Sequence, residues 1–172
     1  MVTLRNFNDN DIDRLVHILN DDAVTEFLST KIPNPYTTED ADWWINEGSQ
    51  SGIIKAISYD NVLVGCIGVN RGQFEYERSG EIGYWLDKHY WRKGITAEAI
   101  RQMTDFVFTH TNIVRVFGAV FAGNHASMQL LLKSGFNEEA ILKKAIYKNG
   151  RFYDKHVFAK LLISKPSPLQ QT

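Results

Sequence analysis

The stretch from Tyr90 to Ala99, YWRKGITAEA, places two cationic side chains and a glycine just before a predicted helix. The first N–H groups of a helix have no partner within it, and the helix dipole makes this end partly positive. Gly94 has no Cβ, so phosphate oxygens can approach the backbone, and Arg92 and Lys93 would add charge to a pyrophosphate. The pattern predicts either a phosphate-binding turn or a plain strand–helix connection whose glycine relieves strain.

A second stretch, NHASMQLLLKSGF, follows 30 residues later and reads as a short helix. Asn124 is suited to the N-cap, Ser127 to the third helical position, and Gly135 to the end of the helix. These structural roles account for nearly every residue. The stretch is a candidate site because of what precedes it in the chain: a strand, the predicted phosphate turn, a helix and another strand.

The elements that would position these residues form an α/β (α+β) domain. β-Branched runs such as IIKAISY, VLVGCIGVN and VRVFGAVF predict strands, and Asn149-Gly150 predicts the turn of a closing hairpin. Helical spacing of apolar residues predicts helices before the first long strand and after the phosphate turn. We expect one domain over residues 1–163, built on a central mixed, mostly antiparallel sheet of about seven strands flanked by helices. A flexible C-terminal tail is expected over residues 164–172.

Composition excludes several classes of protein. The chain has 172 residues and a formal net charge of −1, which gives no global electrostatic footprint for nucleic acid or an anionic membrane. No apolar stretch has the length of a signal peptide or a membrane span, so a cytoplasmic protein is expected. The single cysteine, Cys66, lies in an apolar run and is interpreted as a buried small hydrophobe. The five histidines show no metal-ligand spacing, so we expect no metal.

The segments EIGYWLDKHYWRKGITAEA, NHASMQLLLKSGF and YKNGRFYD together resemble the GNAT superfamily of acetyl-CoA-dependent N-acetyltransferases. The resemblance covers nearly the whole chain and is strongest to the branch of ribosomal-protein N-terminal (alanine/serine) acetyltransferases. It implies a GNAT-like fold and transfer of an acetyl group from acetyl-CoA to a primary amine by direct attack in a ternary complex. It also implies a monomer or a homodimer.

The resemblance implies a set of residues that bind acetyl-CoA. The family pattern at the phosphate turn is Gln/Arg-x-x-Gly-x-Gly/Ala, and the chain has Trp91 in the first position and Thr96 in the last. The Thr96 side chain either narrows the approach of CoA or donates its hydroxyl to a phosphate. The cofactor-binding residues implied are Trp85 and Leu86 through their backbone, then Trp91, Arg92, Lys93, Gly94, Ile95, Thr96, Asn124 and Ser127.

Two residues are expected to be catalytic. Glu81 begins the EIGYWL strand where related enzymes often carry a glutamate that takes the proton of the amine, although it could equally form a surface ion pair. Many family members protonate the CoA thiolate with a tyrosine seven residues after the asparagine, and that position is Leu131 here. Ser127 matches the serine of the ribosomal-protein branch, so it is the expected donor, directly or through water, against a purely structural role in its helix.

The resemblance implies an acceptor groove lined by the N-terminal helices and the loop between them. The substrate-binding residues implied are Phe27, Tyr36 and Tyr147, although a structural role in the hairpin is favoured for Tyr147 and Asp154. The residue types do not distinguish a protein N-terminus from a small amine. Two further functions stay open: a catalytically idle CoA-binding or sensing module, and a transferase that uses a longer acyl-CoA, which the space around Trp85 would decide.

Overall fold

The sheet at the centre of the molecule has seven strands in the order β1-β2-β3-β4-β5-β7-β6. Every neighbouring pair is antiparallel except β4 and β5, which are parallel. This confirms the predicted mixed, mostly antiparallel sheet. The strands are β1 (Val2–Arg5), β2 (Ile53–Tyr59), β3 (Val62–Arg71), β4 (Ser79–Leu86), β5 (Arg115–Phe121), β6 (Asn137–Lys148) and β7 (Arg151–Leu161).

Helices cover both faces of this sheet. The computed structural model describes residues 1–163, so the predicted tail at 164–172 lies outside the described residues. Within residues 1–163 no helix is both long and apolar enough to cross a bilayer. The helices are α1 (Ile12–Leu19), α2 (Asp22–Thr25), α3 (Thr38–Asn46), α4 (Ile95–His110) and α5 (His125–Lys133).

Two hydrophobic cores form because strands β2 to β5 present apolar side chains to both faces. Helices α4 and α5 pack on one face, where Met103 and Leu131 are fully buried against strand residues such as Ile67. Helices α1 and α3 pack on the other face, where Leu15 and Ile45 are buried. We call these the α4/α5 face and the α1/α3 face. A ligand that lies between two strands of the sheet would therefore meet α4 and α5 on one side and α1 and α3 on the other.

Strands β4 and β5 pair over three residues and then diverge. The parallel register runs from Ser79 opposite Arg115 to Glu81 opposite Phe117 and ends there. The remaining residues of β4 pair with β3 on one side and, among residues 1–163, with no strand on the other. This divergence opens a V-shaped gap, called the cleft below, which points toward the start of α4.

The closing hairpin is longer than predicted from YKNGRFYD but turns where expected. Asn149 and Gly150 have φ angles of 50° and 77°, the pair of left-handed residues that a type I′ turn requires. Strand β6 lies at the edge of the sheet, beside β7. The hairpin thus extends past the sheet on the side of α2.

Candidate active site

The turn before α4 has the properties of an anion site. Gly94 is the N-cap residue, with φ 75° and ψ 0°, and no side chain caps the helix. A Cβ placed on Gly94 would meet no atom within 4 Å, so the space above this backbone is open. The first N–H groups of α4 are consequently available to a ligand that carries negative charge.

Trp91 holds this turn against the end of β4. Its indole Nε1–H donates to the carbonyl oxygen of Leu86 at 2.8 Å. Next to it, the Lys93 ammonium lies 5.0 Å from the centre of the Tyr90 ring, and Arg92 has a positive φ of 60°. The tryptophan therefore has a structural function in the position where the family pattern has glutamine or arginine.

Asp87, which the sequence analysis did not single out, anchors the same turn from below. It is 3% exposed and accepts from the His89 backbone N–H at 2.9 Å and from Arg14 Nη2 at 2.6 Å. The His89 ring nitrogen Nδ1 lies 2.8 Å from it as well. Burial opposes ionisation of this carboxyl, but these hydrogen bonds and the Arg14 charge outweigh burial and hold its pKa below the usual value. Asp87 thus joins helix α1 to the phosphate turn.

Replacing Asp87 with asparagine is expected to lower the free energy of unfolding by about 1–3 kcal/mol, because Arg14 loses a buried anionic partner. It should also weaken CoA binding by loosening the turn. Since the folded-state pKa is depressed, the carboxylate stabilises the fold above its unfolded pKa of about 3.9 and stops doing so as the pH falls through the folded value. Thermal melts of both proteins from neutral pH to about pH 3 should show the difference in Tm shrinking with acid.

Asp105→Asn is the matched control for that experiment. Asp105 forms an exposed ion pair with Arg101 four residues earlier on α4, and such pairs contribute about 0.3–0.5 kcal/mol. Equal Tm and equal CoA affinity in the two variants would contradict the anchoring role of Asp87.

Successive residues of β4 direct their backbone N–H and C=O groups alternately toward β3 and toward the cleft. Asp87 N–H donates to Val64 at 2.8 Å and Gly72 N–H donates to Ser79 at 2.9 Å, so the odd-numbered residues of β4 face β3. The even-numbered residues, including Tyr84 and Leu86, direct their N–H and C=O groups toward the cleft. The expected backbone contact from Trp85 is therefore not available, because its groups face Cys66 of β3. The contact from Leu86 stays possible through its N–H.

Glu81 lies on the α1/α3 face of the sheet, next to Phe117 of β5. It is exposed, and within residues 1–163 its carboxylate forms no ion pair, in contrast to the surface-pair alternative. Two residues farther along the same face, a Cβ on Gly83 would meet nothing within 4 Å. The surface beside the Glu81 carboxylate is therefore open to a ligand.

Ser127 lies on the α4/α5 face, across the sheet from Glu81. Its backbone N–H donates to Asn124 Oδ1 at 3.2 Å, which confirms the predicted N-cap of α5. Its Oγ lies 2.8 Å from the hydroxyl of Tyr84, a contact that sequence reasoning missed. Burial raises the pKa of Tyr84 to about 12, an effect that the hydrogen bond with Ser127 partly offsets. The candidate base and the candidate acid therefore occupy opposite faces of the cleft.

The side of the cleft near α2 is closed by aromatic residues and one lysine. Phe121 at the end of β5 contacts Phe27 and Tyr153, with ring centroids 5.9 and 5.4 Å apart. Lys148 reaches from the hairpin and donates to the carbonyl oxygens of Thr25, at 2.9 Å, and of two residues that follow α2. Those two are Glu26 and Leu28, each 2.7 Å from the ammonium. We call this set of three bonds the Lys148 clasp.

Replacing Lys148 with methionine should detach the hairpin from the segment after α2, since three carbonyls lose a charged donor. We expect the free energy of unfolding to fall by about 1–3 kcal/mol, which lowers Tm. We also expect the KM for the amine to rise several-fold. The KM for acetyl-CoA should change little. Steady-state kinetics and thermal melts measure these effects, and Lys144→Met, an exposed lysine of the same hairpin, is the control. A variant at Lys148 that matches this control in both Tm and KM would show that the clasp has no such role.

The three predicted substrate-binding residues lie in three different parts of the structure. Phe27 contacts Phe121 in the aromatic group beside the cleft, and its role in substrate binding stays a prediction. Tyr36 is 6% exposed and its hydroxyl donates to the Asp40 carbonyl at 3.3 Å, so it packs in the α1/α3 core and is not available as a groove wall. Tyr147 is 65% exposed and contacts Phe152, on the hairpin face opposite Lys148. Tyr153, which contacts Phe121, lies on the other face of the hairpin from Tyr147, because side chains alternate along each strand.

Cys66 and Asp154 both lie in structural surroundings. Burial raises the pKa of the Cys66 thiol to about 12, as fits a core residue. Asp154 accepts from the Lys144 backbone N–H and from the Lys143 ammonium, each at 2.9 Å, within the hairpin. In the described part of the chain, no group of three or more His, Cys, Asp or Glu side chains is placed to hold a metal ion.

The sheet of this protein diverges between two parallel strands beside an uncapped helix start, and solved structures of acetyltransferases have the same fold. An acetyltransferase of the GNAT family from Bacillus anthracis has a TM-score of 0.81 over 93% of this chain and 94% of its own, at 23% identity. RimL, a ribosomal-protein α-N-acetyltransferase in complex with coenzyme A, also has a TM-score of 0.81, over 94% of both chains at 21% identity.

Sequence comparison identifies the family. The family model of the acetyltransferase (GNAT) domain matches residues 1–137, so the chain belongs to the GNAT family of acetyltransferases. The N-acetyltransferase p20 of Bacillus licheniformis is 30% identical over 93% of this chain and 92% of its own length. The N-acetyltransferase YoaA of Bacillus subtilis is 36% identical, over 56% of this chain and 54% of its own length. Ribosomal-protein-serine acetyltransferase of Escherichia coli is 28% identical over 62% of this chain and 59% of its own.

Proposed function

We propose that this protein is an N-acetyltransferase that moves the acetyl group of acetyl-CoA to a primary amine, by direct attack within a ternary complex. The observation that carries the proposal is the divergence of β4 and β5 beyond Glu81 and Phe117, directly below the uncapped start of α4. An extended arm fits the gap between the strands, and a pyrophosphate fits the helix start.

The residues present are suited to hold acetyl-CoA. The N–H groups of Ile95 and Thr96 would bind phosphate oxygens above the open Gly94, and the Arg92 and Lys93 side chains add positive charge. Tyr84 and Leu86 offer backbone donors to the arm and to the thioester carbonyl, where each donor contributes about 3–4 kcal/mol to catalysis. The Asn124 amide nitrogen is suited to an amide of the arm, since its oxygen alone is used by the N-cap.

Proton transfer is divided between the two faces of the sheet. Acetyl-CoA supplies a thioester carbonyl and a sulfur leaving group. An α-amino group has a pKa near 8 and must be neutral to react, so the Glu81 carboxylate takes the proton that the amine loses, directly or through one water. Ser127 Oγ gives a proton to the departing sulfur on the other face. One C–N bond forms and one C–S bond breaks, and the proton that Glu81 gains balances the one that Ser127 gives after exchange with solvent.

The acceptor is a primary amine, either a protein N-terminus or a small amine. The likeness to ribosomal-protein-serine acetyltransferase supports an N-terminal serine as the acceptor, and the aromatic group of Phe27, Phe121 and Tyr153 offers apolar contact to the residue that carries the amine. The single cysteine, Cys66, forms no disulfide within the chain, which fits a reducing compartment, so we propose that the reaction takes place in the cytoplasm.

Release of free thiol from acetyl-CoA tests the function. The panel consists of peptides that begin with serine or alanine, the same peptides with a blocked N-terminus, and a linear polyamine. Amine-dependent thiol release, absent with the blocked peptides, is the expected result. Binding of acetyl-CoA without release for any amine would favour an idle binding module, and faster release from a longer acyl-CoA would show a different acyl donor.

A further inference from the structure

Tyr84 spans the cleft on the α4/α5 face. Its ring projects from β4, and its hydroxyl meets Ser127 Oγ, in the first turn of α5, at 2.8 Å. The two residues are 43 positions apart in the chain. Ser127 is the one hydrogen-bond partner of this phenol within residues 1–163, so the contact fixes both hydroxyl groups in one arrangement.

The direction of this hydrogen bond follows from acidity. A phenol is a far stronger acid than an aliphatic alcohol, so the favoured arrangement has Tyr84 O–H donating and Ser127 Oγ accepting. Ser127 then keeps its own proton for another acceptor. Burial raises the pKa of Tyr84 to about 12, which keeps the phenol protonated and donating at every working pH.

The position that carries a tyrosine in many relatives holds Leu131, which is 1% exposed and packs against Gly118. A buried leucine side chain supplies no proton. A phenol nevertheless reaches the first turn of α5 here, because β4 contributes it from the opposite side of the cleft.

We propose, on the basis of the proposed function, that Tyr84 is a positioning residue: its hydroxyl donates to Ser127 Oγ and so directs the serine proton toward the departing sulfur of CoA. The proton that Ser127 gives to the sulfur is replaced along the same hydrogen bond by the Tyr84 proton. The phenol regains a proton from solvent when the product leaves.

Binding of CoA and of desulfo-CoA, which lacks the sulfur, tests this role apart from turnover. At about pH 10.5, two units above the pKa of a cysteine thiol, the thiol of CoA is largely ionised, so wild type should bind CoA more tightly than desulfo-CoA by about tenfold or more, as expected for a hydrogen bond to a charged group. In Tyr84→Phe and in Ser127→Ala this preference should vanish, while desulfo-CoA binds with wild-type affinity. Calorimetry measures both ligands.

Turnover gives the second readout. Tyr84→Phe should lower kcat about 10- to 100-fold with the KM of acetyl-CoA unchanged, and the double variant with Ser127→Ala should be no slower than Ser127→Ala alone. Tyr59→Phe is the control, because Tyr59 is a half-buried tyrosine on the same face, where it makes an edge-to-face contact with Tyr90. Its kcat and its preference for CoA should match wild type.

The outcomes separate this proposal from the proposed function. If wild type transfers acetyl groups but Tyr84→Phe retains both its preference for CoA and its kcat, the role of Tyr84 is overturned and the function stands. Additive losses in the double variant would likewise overturn it. If wild type binds neither CoA nor acetyl-CoA, the proposed function fails and the role of Tyr84 fails with it.

Discussion

Replacing Gly94 with tryptophan is expected to abolish binding of acetyl-CoA. A Cβ at this position would have no atom within 4 Å, so an indole there would occupy the open volume assigned to the pyrophosphate. The left-handed φ of 75° adds a backbone strain of about 1–3 kcal/mol for any residue with a Cβ. Calorimetry with acetyl-CoA should therefore show no heat of binding, and turnover should fall to background.

Gly150→Trp is the matched control for this loss. Gly150 has a φ of 77° and equally open surroundings, but it lies in the hairpin turn away from the phosphate turn. Both variants should lose similar stability through the same backbone strain, and the hairpin variant alone should bind acetyl-CoA as wild type does. Normal binding by Gly94→Trp would rule out α4 as the pyrophosphate site.

Replacing Glu81 with glutamine is expected to slow turnover about 100- to 10,000-fold while acetyl-CoA affinity stays unchanged. Glutamine keeps the shape and the hydrogen-bonding ability of the side chain but accepts no proton. The rate of the variant should rise with pH more steeply than that of wild type, because a growing share of the amine becomes neutral without help. Rates measured from about pH 6 to pH 10 with one peptide show this difference.

Glu75→Gln controls for the loss of a surface charge, since Glu75 is an exposed glutamate in the loop between β3 and β4. It should retain wild-type kcat at every pH. Full activity of Glu81→Gln would assign the base to another group, and weakened acetyl-CoA binding would assign Glu81 a role in the cofactor site.

Local signals in the sequence were sufficient for most of the fold. The β-branched runs became β2, β3 and β5, Asn149-Gly150 became the hairpin turn, and Asn124 became the N-cap of α5. Each of these outcomes depends on residues close together in the chain. The turn before α4 was readable for the same reason, because Gly94 and the start of the helix lie within one short stretch; its role in binding phosphate stays a prediction.

Contacts between distant segments were not readable. The Tyr84–Ser127 bond and the Lys148 clasp join residues 43 and more than 100 positions apart, and nothing near either residue indicates its partner. The backbone direction of Trp85 depends on which residues of β3 and β4 exchange hydrogen bonds, and periodicity alone does not determine that choice. Tyr36 looked like a groove residue that follows two prolines, but its side chain is buried beside α3.

Thermal unfolding of the wild-type protein with acetyl-CoA, ATP or NAD tests the central claim most directly. A ligand at 100 times its Kd adds about 2.7 kcal/mol to the free energy of unfolding, which for a domain of this size raises Tm by roughly 5–10 °C. The account predicts this shift with acetyl-CoA and not with ATP or NAD at equal concentration. No shift with millimolar acetyl-CoA, or an equal shift with all three, would contradict it.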